Sequence, residues 1–85
     1  MNYTQVGKIV HYFDKIQVGV LQVTDGEVKV GDTIRIGDEA TGFEQKVESL
    51  QIEHKPVDGI KTGEEAGLKL DQPSREGTLV YKVSE

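Results

Sequence analysis

The side chains able to do chemistry are few and widely spaced in this chain of 85 residues, which holds two histidines, His11 and His54, and no cysteine. A zinc site needs three or four convergent ligands, and neither histidine has a second ligand at metal-binding spacing. We expect no metal, with His11 a strand residue and His54 a solvated loop residue. Two pairs of adjacent acids, Asp38-Glu39 and Glu64-Glu65, have the residue types for acid and base roles. Catalysis would require one member to be buried with a raised pKa, whereas adjacent acids in polar loops are ordinarily solvated charge. Ser49, Ser74 and Ser84 lack a motif that would activate a hydroxyl. No Gly-x-x-x-x-Gly-Lys-Ser/Thr loop is present to cradle phosphates. We therefore expect no catalytic residue, no cofactor and no nucleotide, and read the chain as a binding module and not as an enzyme.

The residues that point toward a partner are Lys46, His54, Lys55 and Lys61, which flank a long loop. They form the candidate RNA- or partner-binding set. The competing reading is that Glu44, Glu48, Glu53 and Asp58, interleaved with them, make surface ion pairs worth little each. Tyr3, Tyr12, Phe13 and Tyr81 offer a flat contact patch, or else form partly buried walls of a β-structure.

The formal net charge is −5, with acids and bases interleaved along the whole chain. A protein that neutralises several phosphates concentrates Lys and Arg on one face, so binding to naked nucleic acid is disfavoured. Neither a leader-like apolar segment nor a run of the ~20 apolar residues needed to span a membrane is present. We expect a soluble, cytoplasmic protein with no membrane contact.

At this length the chain forms a single domain over 1–85, with a core from about residue 6 to residue 83. Hydrophobic residues make up 35% of it and are dominated by Val, Ile and Leu in short runs, the composition of thin β-structure. Val6 to Phe13 suits a strand with both faces partly covered, and Asp14-Lys15 connects it to a second run, Ile16 to Val23, in which Ile16, Val18 and Val20 alternate on one face. Gly19 inside that run implies a bend or a close approach. Asp25-Gly26 is a turn signal. Glu27 to Val30 and Thr33 to Ile36 are strands meeting at a Gly31-Asp32 corner, where Gly31 is the residue expected to tolerate substitution least.

Phe43 to Ile52 reads as one long strand whose alternation changes phase, which a one-residue β-bulge between Val47 and Leu50 would repair. Glu53 to Glu65 reads as an irregular loop anchored by Val57 and Ile60. Ala66 to Leu70 and Thr78 to Val83 are strands, and Asp71 to Gly77 is a turn or single helical turn. No window has a sustained 3.6-residue apolar period, so no long helix is expected. About six short strands favour a closed barrel, because closure removes exposed edges.

Several blocks carry a resemblance: Val18-Gly19-Val20, then Asp25 to Ile36 with its Val30-Gly31-Asp32 corner, then Lys46 to Ile52, and last Gly63-Glu64-Glu65-Ala66-Gly67-Leu68-Lys69-Leu70. In this order they resemble the second domain of translational GTPases, the β-barrel of elongation factor Tu and initiation factor 2, over residues 6 to 70. The same barrel is similar to one appended to the C-terminus of some collagenase-like peptidases that work on RNA modification. The resemblance implies an all-β fold, a small closed six-stranded Greek-key barrel, with Lys46, His54, Lys55 and Lys61 at one end where ribosomal or transfer RNA could be met. It implies a stand-alone module docking on a ribonucleoprotein or a translation-associated protein. The alternative is a protein-interaction subunit of a separately encoded peptidase-like or RNA-modifying enzyme.

Overall fold

The computed structural model describes residues 2–37, 42–53 and 55–84. Those residues form ten strands and no helix: β1 (Asn2–Phe13), β2 (Val18–Val23), β3 (Glu27–Lys29), β4 (Thr33–Ile36), β5 (Phe43–Lys46), β6 (Leu50–Ile52), β7 (Lys55–Val57), β8 (Gly59–Lys61), β9 (Glu65–Lys69) and β10 (Leu79–Ser84). Eight of them make one sheet in the order β5-β4-β10-β1-β2-β9-β6-β7, and β3 pairs with β8 in a separate ribbon. The all-β expectation holds. The backbone ladder is a curled half-barrel, with β5 at one edge and β7 at the other, and among the described residues no ladder closes it.

β1 is the axis of the sheet, pairing antiparallel with β10 on one side and with β2 on the other. Each pairing shifts register once, between Gln5 and Gly7 toward β10 and between Ile9 and His11 toward β2. Such irregularities sharpen the local twist and let a thin sheet curl over its own core. The concave face holds Ile9, Leu21, Ile34, Ile36, Leu50 and Val80, all effectively inaccessible to water.

The register of β2 reverses the face expected for it. Leu21 and Val23 are buried, Val18 and Val20 are half-exposed, and Ile16 lies in the preceding turn, 62% exposed. Both parities of this run carry branched apolar residues, so periodicity alone does not choose between them. The choice is made by pairing, which sets Leu21 opposite Ile9. Gly19 shares the buried face, and a β-carbon there would lie 2.8 Å from Leu70 Cδ1, the close approach that a glycine in mid-strand implied.

The Gly31-Asp32 corner stands where expected, between β3 and β4. Gly31 has φ +100°, a conformation that side chains with a β-carbon rarely adopt. Asp32 ties the turn: its Oδ2 accepts from the Lys29 amide at 2.8 Å, and its own N–H donates to Lys29 O at 3.0 Å.

The long strand over Phe43 to Ile52 is two strands. Residues 47–49 belong to no ladder; β5 pairs with β4, while β6 pairs with β7 and β9. The phase change therefore marks a crossing from one side of the sheet to the other in place of a bulge, and Val47 and Leu50 are both buried. Gln45 bridges the same gap. Its amide Nε2 donates to Lys69 O at 2.8 Å and its Oε1 accepts from Asp71 N at 2.8 Å, joining edge strand β5 to the end of β9. The segment expected to be an irregular loop also contains strands, β7 and β8. Pro56 is accommodated because β7 is an edge, where one side of the backbone needs no ladder partner. Ile60 is buried and Val57 half-buried, so the two anchors do hold. Residues 71–77 form turns without a helical turn.

Candidate functional site

The basic set is dispersed. Lys46 ends β5, Lys55 begins β7 and Lys61 ends β8, all exposed, and no two of these strands are neighbours in a ladder. His54 lies outside the described residues. Lys61 shares a hollow with Lys29 but also with Glu27, Asp58 and Glu64, and the Glu64 Oε1 accepts from the Lys61 amide at 2.9 Å. Lys46 shares another with Glu48, Lys69 and Asp71. Carboxylates stand beside Lys46 and Lys61, so the potential near these two is mixed. The interleaved acid Glu44 pairs elsewhere: its Oε2 lies 3.3 Å from Arg35 Nη1 and accepts from the Tyr3 hydroxyl at 3.0 Å. The described members of the basic set are separated because each lies on a different strand and those strands pair with different partners.

The remaining candidates are equally scattered. His11 is on β1, as expected, with Nδ1 3.2 Å from Glu76 Oε1 and its ring edge-on to Phe13 at 4.5 Å between centroids. Both His11 and Glu76 are more than half exposed, so water screens the pair. Asp38 and Glu39 lie outside the described residues. Glu64 caps the turn after β8, whereas Glu65 is in β9 opposite Gln22. Ser49 lies in the crossing segment and Ser84 ends β10. Among the described residues no group of three or more His, Asp or Glu side chains could hold a metal ion. The aromatic set divides: Tyr12 packs against the core, Phe13 points to solvent beside His11, and Tyr3 lies under Arg35, whose guanidinium is 5.9 Å from the ring centroid.

A concavity that sequence reasoning passed over lies beside the turn that precedes β10. Ile36, Gly37, Phe43, Pro73, Ser74, Arg75 and Thr78 line a hollow of about 420 Å³. Its turn is stitched to β1 by backbone bonds, from Gly77 N to Ile9 O at 2.6 Å and from Ile9 N to Thr78 O at 2.8 Å. Thr78 N also donates to Arg75 O at 3.2 Å. The Ser74 hydroxyl is buried and has no hydrogen-bond partner. In the sequence the only signal was Pro73-Ser74-Arg75, which reads as turn chemistry.

No protein-family model matches the chain. It is 39% identical over 82 residues, 95% of its length, to an uncharacterized protease of Methanocaldococcus jannaschii. It is 30% identical over 80 residues, 93% of its length, to a collagenase of Porphyromonas gingivalis. The chain spans only about a fifth of these relatives, 20% of the first and 22% of the second. Among solved structures it is similar to the C-terminal domain of a Geobacillus thermoleovorans protein described as a U32 peptidase. The TM-score is 0.84 at 18% identity, over 95% of this chain and 93% of that one, a likeness of fold. The chain is thus a small all-β domain, related in sequence to a part of these proteases and collagenases and sharing the fold of a U32 peptidase C-terminal domain.

Proposed function

We propose that this domain is a non-catalytic module of a peptidase system, carried beside or joined to a separate peptidase domain and acting through its surface. The observation that carries this reading is the alignment of nearly the whole chain with only one-fifth of a protease at 39% identity. A segment that recurs as a fraction of a larger enzyme, with its own core, is a portable domain. The scattered placement of His11, Glu64 and Glu65, with His11 and Glu65 exposed and Glu64 engaged in capping a turn, supports a non-catalytic role, since acid–base work needs groups converging in a site that excludes water. The relatives found favour this reading over docking on a ribonucleoprotein. The dispersal of Lys46, Lys55 and Lys61 points the same way, because a phosphate-binding surface gathers its cations. Closure into a full barrel belongs to the same proposal: Gln45 and the crossing at 47–49 span the gap that the ladder leaves.

The test is to purify the chain and measure peptide hydrolysis alone, then with the peptidase-like protein of the same cell. We expect no cleavage by the chain alone and a change in the rate or substrate range of the peptidase when it is added. Cleavage by the chain alone, retained through repeated purification, would overturn the non-catalytic reading.

A further inference from the structure

The hollow beside the turn that precedes β10 has features that the role of a peptidase module does not use. Its lining combines the apolar Ile36, Phe43 and Pro73 with the polar Ser74, Arg75 and Thr78. The Ser74 Oγ is buried without a hydrogen-bond partner. Such a group is desolvated at a cost and calls for an explanation. Arg75 is exposed and makes no ion pair with any described residue, in a chain of net charge −5. Other cations do find carboxylates: Arg35 meets Glu44, Lys29 meets Glu27, and Lys82 meets Asp32.

We propose that this hollow binds a carboxylate carried on an apolar group. Arg75 supplies a planar fork that matches two carboxylate oxygens, the Thr78 hydroxyl adds a donor, and a χ1 rotation would bring the buried Ser74 hydroxyl to the ligand as another. Ile36, Phe43 and Pro73 receive the apolar stem. A volume of about 420 Å³ falls in the range of small-ligand sites. The donors are held ready, because the backbone bonds joining Gly77 and Thr78 to Ile9 fix the turn on the central strand. Arg75 is the one charged residue among the described lining residues, which suits a monoanion with an apolar body better than a phosphate. The carboxylate has two possible sources, a free small acid or the end of a peptide chain whose last side chain is apolar. The inference does not depend on association with a peptidase.

The experiment is a two-dimensional amide NMR titration of the ¹⁵N-labelled chain with 3-phenylpropionate, with 3-phenylpropanamide and with inorganic phosphate. The acid should give saturable shifts at the amides of Gly37, Ser74, Gly77 and Thr78, and the neutral amide should bind at least about ten-fold more weakly, the loss of a charge-assisted contact. Arg75→Ala should weaken the acid by a similar factor, while Arg75→Lys should retain part of the affinity; neither exposed change threatens the fold. A second arm compares acetyl-Gly-Gly-Phe with a free and with an amidated C-terminus. Tighter binding of the free-ended peptide than of 3-phenylpropionate identifies a chain terminus as the source, and equal binding identifies the small acid; either supports the site. Equal binding of acid and amide, phosphate binding as tight as the acid, shifts confined to other residues, or an unaffected Arg75→Ala variant would each overturn it.

Discussion

The substitution Gln45→Glu tests how the two sides of the sheet are joined. Gln45 is only 8% exposed, and its amide both donates to Lys69 O and accepts from Asp71 N, each at 2.8 Å. An ionised carboxylate at this position keeps the acceptor and loses the donor, setting one of its oxygens against the Lys69 carbonyl. One lost hydrogen bond, the desolvated carbonyl and the partly buried charge together cost about 2–4 kcal/mol at pH 7. For a domain of this size that lowers Tm by roughly 10–25 °C. The introduced carboxyl group, when protonated, can donate to Lys69 O and accept from Asp71 N, so folding favours its neutral form and raises its pKa above the unfolded value of about 4.3. Between those two pKa values the native state binds the extra proton, so the variant loses stability relative to the parent as pH rises. Thermal unfolding followed by far-ultraviolet circular dichroism from pH 3.5 to 7.5 should show a Tm deficit that widens with pH. A deficit that is absent at pH 7, or that stays constant across the range, would refute the bridging role of Gln45.

Three further outcomes follow from the fold. Gly19→Ala places a β-carbon 2.8 Å from Leu70 Cδ1 in the core and should cost about 1–3 kcal/mol by urea denaturation, with part recovered when Leu70→Val is added. Gly31→Val should cost about 1–3 kcal/mol for a different reason: its β-carbon meets nothing within 4 Å, so the penalty lies in φ +100° alone, and a neutral result would show that the corner relaxes. Asp32→Asn keeps an acceptor for the Lys29 amide but loses the charge 3.3 Å from Lys82 Nζ. The partial exposure of that pair limits the loss to below about 1 kcal/mol, and it should shrink further in about 1 M salt.

Strand existence was legible in the sequence wherever apolar residues alternate beside a turn, as at Thr33 to Ile36 and Ala66 to Leu70. Faces were less so. In Ile16 to Val23 both parities are apolar, and only pairing of Leu21 with Ile9 decides which is buried. The break at 47–49 was visible as a change of phase, but a bulge and a crossing to a new partner strand leave the same local pattern; long-range pairing separates them. β8 escaped because its three residues, Gly59 to Lys61, are stabilised by distant β3 and not by local propensity. Gln45 shares parity with Phe43 and Val47, but nothing local announces its hydrogen bonds to distant Lys69 and Asp71. The relatives found are a protease and a collagenase and not translation factors, although the blocks read as a translation-factor barrel did locate the corner at Gly31 and the strand after Gly63. Gly-Asp corners are good turn chemistry in any small β-fold, and they do not carry a function with them. The cationic set was a pattern along the chain, and the topology places its described members, Lys46, Lys55 and Lys61, on three separate strands that share no ladder.

Affinity purification of the chain from its native cell, with and without RNase and at low and high salt, tests the central claim most directly. We predict a stoichiometric partner that carries a peptidase domain, retained after RNase and at high salt. A set of ribosomal or other RNA-bound proteins that disappears with RNase or salt, with no peptidase among the stoichiometric partners, would contradict it.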